Sequence, residues 1–289
     1  MSATELLKKV RKIEIKTKGL SNHIFAGEYH TAFKGRGMAF SEVREYQPGD
    51  DIRSIDWNVT ARFNNPYVKV FEEEREMTVM LLVDVSASKD FGTQQQMKQE
   101  LVTELAAVLA FSAIQNKDKI GVIFFSDQVE KFIPPKKGKL HILRIIRELI
   151  AFEPEHKGTN IGEALRYFNN VIKKHAVCFL ISDFMNEGFE AALRIANKKH
   201  DIIAVRIYDK REEELPNVGL AQMKDAETGN IEWIDTSNKA VRTQFTANYL
   251  KHETELLQLF RSSGVDIINI RTDEDYVKPL ISFFKRRER

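Results

Sequence analysis

Short, unbroken apolar runs separated by longer segments with helical periodicity constrain the fold of this 289-residue chain more than any other feature. The runs recur from residue 77 onward, and they lack the alternation expected of strands with one solvated face. Buried strands that alternate with helices are typical of a mostly parallel sheet covered on both faces. We therefore predict a doubly wound α/β domain over residues 77–289. Residues 1–76 are predicted to hold an N-terminal helix and a strand-rich segment.

The periodicity of apolar residues assigns the individual elements. The strands of the α/β domain are predicted at residues 77–85, 120–125, 128–133, 177–182, 202–208 and 266–270. Helices are predicted at residues 95–115, 140–152, 161–173, 189–198 and 238–261, and a hairpin at 220–235. The N-terminal part is predicted to hold an amphipathic helix at 2–19, a turn at 47–50 and a strand at 68–71.

Composition and charge exclude several classes of protein. The formal net charge of +2 disfavours a nucleic-acid-binding protein, and the basic residues 285–289 are interpreted as a solvated tail. Cys178 is the only cysteine, so an intramolecular disulfide is excluded, and its apolar neighbours predict a buried thiol. The sequence shows neither a signal peptide nor an apolar stretch of roughly 20 residues that could span a bilayer. We expect a cytoplasmic protein without a direct membrane span.

An acid and two hydroxyls follow the first apolar strand. Asp84 ends the run, and Ser86 and Ser88 follow at alternate positions, so the three share one side if the chain stays extended. Ligands of doubly wound sheets bind outside the carboxyl ends of the strands, where this group is predicted to lie. Carboxylate and hydroxyl oxygens suit Mg2+ and are poor ligands for zinc; Mn2+ and Ca2+ share the preference for oxygen.

Two further oxygen ligands are predicted at the same edge of the sheet. Asp183 ends the strand at 177–182, and Thr159 lies in the loop before the helix at 161–173. Structural alternatives remain for the serines, which could form turns, and for Asp183, which could cap a following helix. Asn160 already provides the cap of its own helix, with Glu163 as the partner in a capping box. We predict a metal site from the residues Asp84, Ser86, Ser88, Thr159 and Asp183.

This set of residues resembles the metal-ion-dependent adhesion site (MIDAS) of von Willebrand factor A-type (vWA) domains. The resemblance rests on D-x-S-x-S after a strand, a later Thr before a helix and a later Asp after a strand. It implies that the Ser and Thr hydroxyls ligate Mg2+ directly, and that the Asp carboxylates bind it directly or through water. It also implies that an acidic side chain of a protein partner fills a vacant coordination position.

A longer pattern precedes the α/β domain and narrows the resemblance. It comprises residues 35–37 (GRG), 43–46 (VREY), 49–53 (GDDIR), 55–57 (IDW), 60–62 (TAR) and 68–71 (VKVF). This pattern closely resembles that of bacterial proteins of domain-of-unknown-function family 58 (DUF58), in which an A-type domain follows. The resemblance implies two classes of associated protein, a MoxR-type AAA+ ATPase and membrane-bound A-domain proteins.

Side chains of the same segment have structural interpretations. The aromatic residues Tyr46, Trp57 and Phe71 are expected in the core of a small strand-rich subdomain. Five charged residues are expected to form an internal ion-pair network: Arg44, Asp50, Arg53, Asp56 and Arg62.

Two classes of function remain open. The first is a non-enzymatic interaction module that binds an acidic residue of a partner through Mg2+, in the assembly or maturation of a protein complex. The alternative is a Mg2+-dependent phosphatase or phosphotransferase with Asp84 as nucleophile. Phosphatases of the haloacid dehalogenase type carry D-x-D, and here Ser86 stands in place of the second Asp, which works as the acid and base. We therefore expect a protein that is not an enzyme.

Overall fold

The structure, a computed structural model, describes residues 38–63, 65–73, 76–86, 98–224 and 230–288. These residues form two compact units, a small one that ends at residue 77 and a larger one from residue 78 onward. The predicted helix at 2–19 and the predicted ligand Ser88 lie outside the described residues.

The small unit is built on an antiparallel pair of strands, β1 (Met38–Glu45) and β2 (Tyr67–Glu73). A 3-10 turn (Ile52–Ser54) and helix α1 (Trp57–Phe63) connect them. The predicted turn at 47–50 is confirmed, since the Asp50 N–H donates to the Gln47 carbonyl oxygen at 3.0 Å. Among the described side chains of this unit, Val68 of β2 is the buried one, at 2% exposure.

Two expectations for the small unit are wrong. Trp57 is 67% exposed on α1, because this short helix buries none of its residues. Of the predicted five-residue ion-pair network, the structure shows one pair. In it the Arg44 guanidinium donates two bonds of 2.7 and 2.8 Å to Asp50. Asp56 instead lies 3.4 Å from Lys69 Nζ. Arg53 and Arg62 are exposed, Tyr46 is half-buried, and the side chain of Phe71 lies outside the described residues.

The larger unit contains a six-stranded sheet, as the sequence predicted. Its strands are β3 (Thr78–Asp84), β4 (Lys119–Phe125), β5 (Val129–Lys136), β6 (Val177–Ser182), β7 (Asp201–Tyr208) and β10 (Asp266–Arg271). Their order across the sheet is β10-β7-β6-β3-β4-β5. The β4–β5 pair is antiparallel, and the other neighbouring strands are parallel. The fold is therefore of the doubly wound α/β class.

The strand order creates a topological switch point between β3 and β6. From β3 the chain proceeds to β4 on one side, whereas from β6 it proceeds to β7 on the other side. The loops that leave these two neighbouring strands therefore diverge and leave a crevice at their carboxyl ends. Asp84 ends β3 and Ser182 ends β6, so both lie at the mouth of this crevice.

Helices cover the sheet. They are α2 (Lys98–Gln115), α3 (Lys139–Ala151), α4 (Ile161–Val171), α5 (Glu190–Lys199), α6 (Lys210–Glu213), α7 (Lys239–Ser263) and α8 (Val277–Glu288). Helix α2 packs against α3, and α4 packs against α5. Helices α4, α5 and α7 share a core with one face of the sheet, and this core contains Phe184, Phe189 and Phe260. None of the helices in the described residues combines the length and the apolar character that crossing a bilayer requires.

Three details of the larger unit test the sequence predictions. The predicted hairpin forms from β8 (Leu220–Lys224) and β9 (Ile231–Asp235). Cys178 is fully buried, and burial raises the pKa of its thiol well above the usual value. The interpretation of residues 285–289 as a solvated tail is wrong for Arg287, which belongs to α8. Its guanidinium donates to Asp201 and Asp266, each at a shortest distance of 2.7 Å.

Candidate metal centre

Asp84 is a buried carboxylate at the carboxyl end of the central strand β3. Its side chain is 9% exposed, and neutral groups donate to both of its oxygens. The Ser86 N–H donates to Oδ1 at 3.0 Å, and the Ser182 hydroxyl donates to Oδ2 at 2.6 Å. These bonds fix the orientation of the carboxylate, whose two oxygens offer about four lone pairs in all.

A second carboxylate, Asp183, follows β6, the strand that neighbours β3. Its Oδ1 accepts a bond of 3.3 Å from the Met185 N–H, and its Oδ2 lies 3.2 Å from Lys98 Nζ. The predicted alternative, that Asp183 caps the next helix, is wrong, because α5 begins only at Glu190. The parallel pairing of β3 with β6 places both acids at one edge of the sheet.

Burial and the neighbouring acid both act on Asp84. Burial raises the pKa of Asp84 to about 7, and the charge of Asp183 contributes in the same direction. The hydrogen bonds from Ser182 and Ser86 oppose this shift, because they favour the charged carboxylate. Two carboxyl groups so placed favour either a bound proton or a bound cation.

Polar contacts fasten the loop that carries Thr159 to its neighbours. The Glu130 carboxylate accepts bonds from the Ser126 hydroxyl at 2.6 Å and from the His156 N–H at 3.1 Å. The Asn186 side chain donates to the Thr159 carbonyl oxygen at 2.8 Å, which joins the Thr159 loop to the loop after Asp183. The Asn160 side chain caps α4 by accepting from the Glu163 N–H, as predicted. The Glu163 carboxylate accepts from Arg166 instead, so this ion pair replaces the second hydrogen bond of the predicted capping box.

Two polar residues of the centre were missed by the sequence reasoning. Ser182 was taken as the last residue of a buried strand, although its position directly before Asp183 at a strand end was a usable signal. Lys98 of α2 is 3% exposed, although a lysine in a helix would ordinarily be assigned to the solvated face. The contact between Lys98 and Asp183 depends on tertiary packing, so the sequence carried no signal for it.

Backbone strain adjoins the centre. Phe184 follows Asp183 directly and has a φ of 57°, in the left-handed region that a bulky residue rarely adopts. This conformation costs roughly 1–2 kcal/mol. Its ring is fully buried and lies 5.1 Å from the ring of Phe260, and its N–H donates to the Ser182 hydroxyl at 3.1 Å. Packing and this hydrogen bond hold the strained turn, and such strain is concentrated at functional sites.

The chemistry of the donors fits a hard divalent cation. The donors among the described residues are carboxylate and hydroxyl oxygens, which Mg2+ prefers. The described residues contain no group of three or more His, Cys, Asp or Glu arranged for a metal. Asp84, Ser86 and Asp183 gather at one place, and Asn186 bonds the Thr159 loop to the Asp183 loop. That a cation binds these residues remains a prediction.

Comparisons with known proteins identify a family without an assigned activity. The sequence profile described as "Protein of unknown function DUF58" matches residues 42–255. An uncharacterised protein of Mycobacterium tuberculosis is 28% identical over 283 residues, which cover 97% of this chain and 89% of that protein.

Two solved structures illustrate the structural similarity. An aerotolerance-related membrane protein from Bacteroides fragilis is similar over 73% of this chain and 98% of its own, with 18% identity and a TM-score of 0.49. The SpRpn10 VWA domain is similar over 72% of this chain and 95% of its own, with 11% identity and a TM-score of 0.38.

Proposed function

The chain belongs to the DUF58 family, and we propose that it is a non-enzymatic interaction module that binds an acidic residue of a protein partner through a divalent cation. The observation that carries this proposal is the pair of acids Asp84 and Asp183 at the switch point between β3 and β6. Mg2+ is the proposed ion, and Mn2+ or Ca2+ could replace it because they share its preference for oxygen.

The proposed binding mode follows from the coordination chemistry of Mg2+. The ion takes six oxygen ligands and retains waters wherever the protein supplies fewer. The proposed ligands among the described residues are Asp84, Ser86, Thr159 and Asp183. Ser88 completes the proposed set. A carboxylate of the partner would displace one water and gain a strong, directional contact with the cation.

The proposed partners follow from the family resemblance alone. We propose a protein with an exposed acidic residue as the direct ligand, and a MoxR-type AAA+ ATPase as the associated machine in the assembly or maturation of a complex. Membrane-bound A-domain proteins are proposed as further members of this system. A cytoplasmic location is part of the same proposal.

The surroundings of Asp84 weigh against the alternative of a phosphatase. Its two oxygens accept bonds from Ser86 and Ser182, which withdraw charge from the carboxylate and make it a weaker nucleophile. Ser86 also replaces the acid that such enzymes use for proton transfer. Incubation with acetyl phosphate and Mg2+, followed by mass analysis of residue 84, tests this alternative, because a phosphorylated Asp84 would support it.

Capture of partners with and without a chelator tests the proposed function. Immobilised full-length protein should retain a set of proteins from a bacterial extract in Mg2+ and release them in EDTA. The variants Asp84→Asn and Thr159→Ala should lose this set, because each removes one proposed ligand of the cation.

A matched control distinguishes lost binding from lost folding. Asp118 is also a buried acid, and it directly precedes β4, at the opposite ends of the strands from Asp84. The variant Asp118→Asn should therefore affect stability but keep the captured set. Capture that is indifferent to EDTA and to both site variants would contradict the proposed function.

A further inference from the structure

A buried ammonium group already contacts one of the two acids of the centre. Lys98 Nζ lies 3.2 Å from Asp183 Oδ2 and also bonds the Glu212 carboxylate of α6. The side chain of Lys98 is 4% exposed, and those of Asp183 and Glu212 are 8% and 23% exposed. The ion pair of Lys98 and Asp183 is therefore largely shielded from solvent. Charges interact more strongly in such a shielded place than at the surface.

The position of Lys98 is unfavourable by a local criterion. A lysine side chain is rarely buried because its ammonium group loses hydration. Lys98 belongs to α2 and is 3% exposed. Residues that violate local rules in this way concentrate at functional sites.

We infer that Lys98 is an internal cation that competes with the divalent ion for Asp183 and so weakens metal binding when no partner is present. The inference rests on the proposed function, which supplies the divalent ion. Lys98 occupies one lone pair of Asp183 and compensates part of its negative charge. A cation bound by Asp84 and Asp183 is then attracted less strongly by the protein alone. A carboxylate from the partner would restore the attraction, which couples occupancy by the metal to the presence of the partner.

Glu212 sets how strongly Lys98 acts on Asp183. Its Oε1 bonds Lys98, and its Oε2 accepts a 3.0 Å bond from the Asp209 N–H in the capping box of α6. Helix α6 thereby holds Glu212 in place, and the ammonium group is shared between two acids. Loss of the Glu212 charge would let more of the Lys98 charge act on Asp183.

Binding of Mn2+ to two variants of the full-length protein tests the inference, with Mn2+ titrated alone and followed by electron paramagnetic resonance. Lys98→Met should tighten Mn2+ binding about tenfold or more, because it removes a positive charge beside Asp183. Glu212→Gln should weaken Mn2+ binding several-fold, because the negative charge of Glu212 no longer offsets that of Lys98. A purely structural role for Lys98 predicts weaker binding in both variants.

Two controls keep the result decisive. Lys131→Met breaks an ion pair of 2.6 Å with Glu148 elsewhere in the unit and should leave Mn2+ affinity unchanged. Metal-free Lys98→Met should melt at a lower temperature than the wild type, because Asp183 and Glu212 lose their counter-charge, and Mn2+ should restore more stability to it than to the wild type. If Lys98→Met does not fold, Glu212→Gln still tests the inference, because unchanged or tighter Mn2+ binding in that variant overturns it.

The outcomes also separate this inference from the proposed function. Wild-type protein that shows no saturable Mn2+ binding overturns both. Wild-type binding that is lost in Asp84→Asn, together with unchanged or weaker binding in Lys98→Met, overturns the role of Lys98 and leaves the proposed function in place.

Discussion

At the scale of single residues, the interior of the larger unit holds several polar groups whose charged form is costly. Asp84 receives two hydrogen bonds as compensation, and Lys98 receives two acids. His200 receives neither, since both of its ring nitrogens lack a hydrogen-bond partner in the described part of the chain. The imidazole is 1% exposed and packs 4.4 Å from the ring of Phe168.

The buried His200 predicts a loss of stability in acid. Burial lowers the pKa of His200 to about 4, from 6.5 in the unfolded chain, and the charges of Lys199 and His175 add to this shift. Between these values the unfolded chain binds the proton better, so stability is lost as the pH falls from 6.5 towards 4. At pH 5 this loss amounts to about 2 kcal/mol.

The variant His200→Leu should remove this part of the pH dependence. Urea unfolding at pH 7.5 and pH 5 measures it as the difference between the two free energies of unfolding, in wild type and variant. At pH 7.5 the imidazole is neutral in both states, so this measurement serves as the internal reference. An equal loss of free energy in wild type and variant between the two pH values would contradict the prediction.

At the scale of elements, the sequence predicted the main strands and helices to within a few residues, because their apolar runs are long. Strand β5 differs, since it continues past the predicted end at Ile133 through Pro134 and Pro135 to Lys136. Prolines stop a central strand but not an edge strand, and β5 lies at the edge of the sheet. That edge position is a tertiary property, which the local sequence did not reveal.

The close approach of β4 and β5 at Gly121 gives a testable consequence. A Cβ atom there would lie 2.8 Å from Met80 Sδ and 2.9 Å from both the Ile133 carbonyl oxygen and the Pro135 nitrogen. Two of these neighbours are backbone atoms, which cannot rotate away. We expect Gly121→Ala to lower the free energy of unfolding by about 2 kcal/mol, measured by urea denaturation.

Gly162 of α4 provides the matched control for this prediction. A Cβ atom at this position would meet its nearest neighbours, Arg166 Nη1 and the Asn160 side-chain oxygen, at an ordinary 3.5 Å. Because alanine has the higher helix propensity, Gly162→Ala should raise the free energy of unfolding by up to about 1 kcal/mol. Similar effects of the two substitutions would show that the contact between β4 and β5 is not the cause.

At the scale of the whole molecule, the alternation of strands and helices predicted the fold class and the edge at which the centre lies. It could not predict that β6 is the direct neighbour of β3, because strand order depends on the path of the chain across the sheet. Lys98 was missed for a similar reason, since it meets Asp183 only through tertiary packing, whereas the position of Ser182 at a strand end was a usable signal. The position of Asp84, Ser86 and Asp183 at this edge of the sheet was predictable because strand ends are visible in the sequence.

The most direct measurement of the central claim is a Mn2+ titration of the metal-free, full-length protein at pH 8, followed by electron paramagnetic resonance. At this pH the proton that burial favours on Asp84 has dissociated in most molecules. We predict one saturable site per chain, lost in Asp84→Asn and Thr159→Ala and kept in Asp118→Asn. No saturable site, or a site that survives both ligand substitutions, would contradict the account.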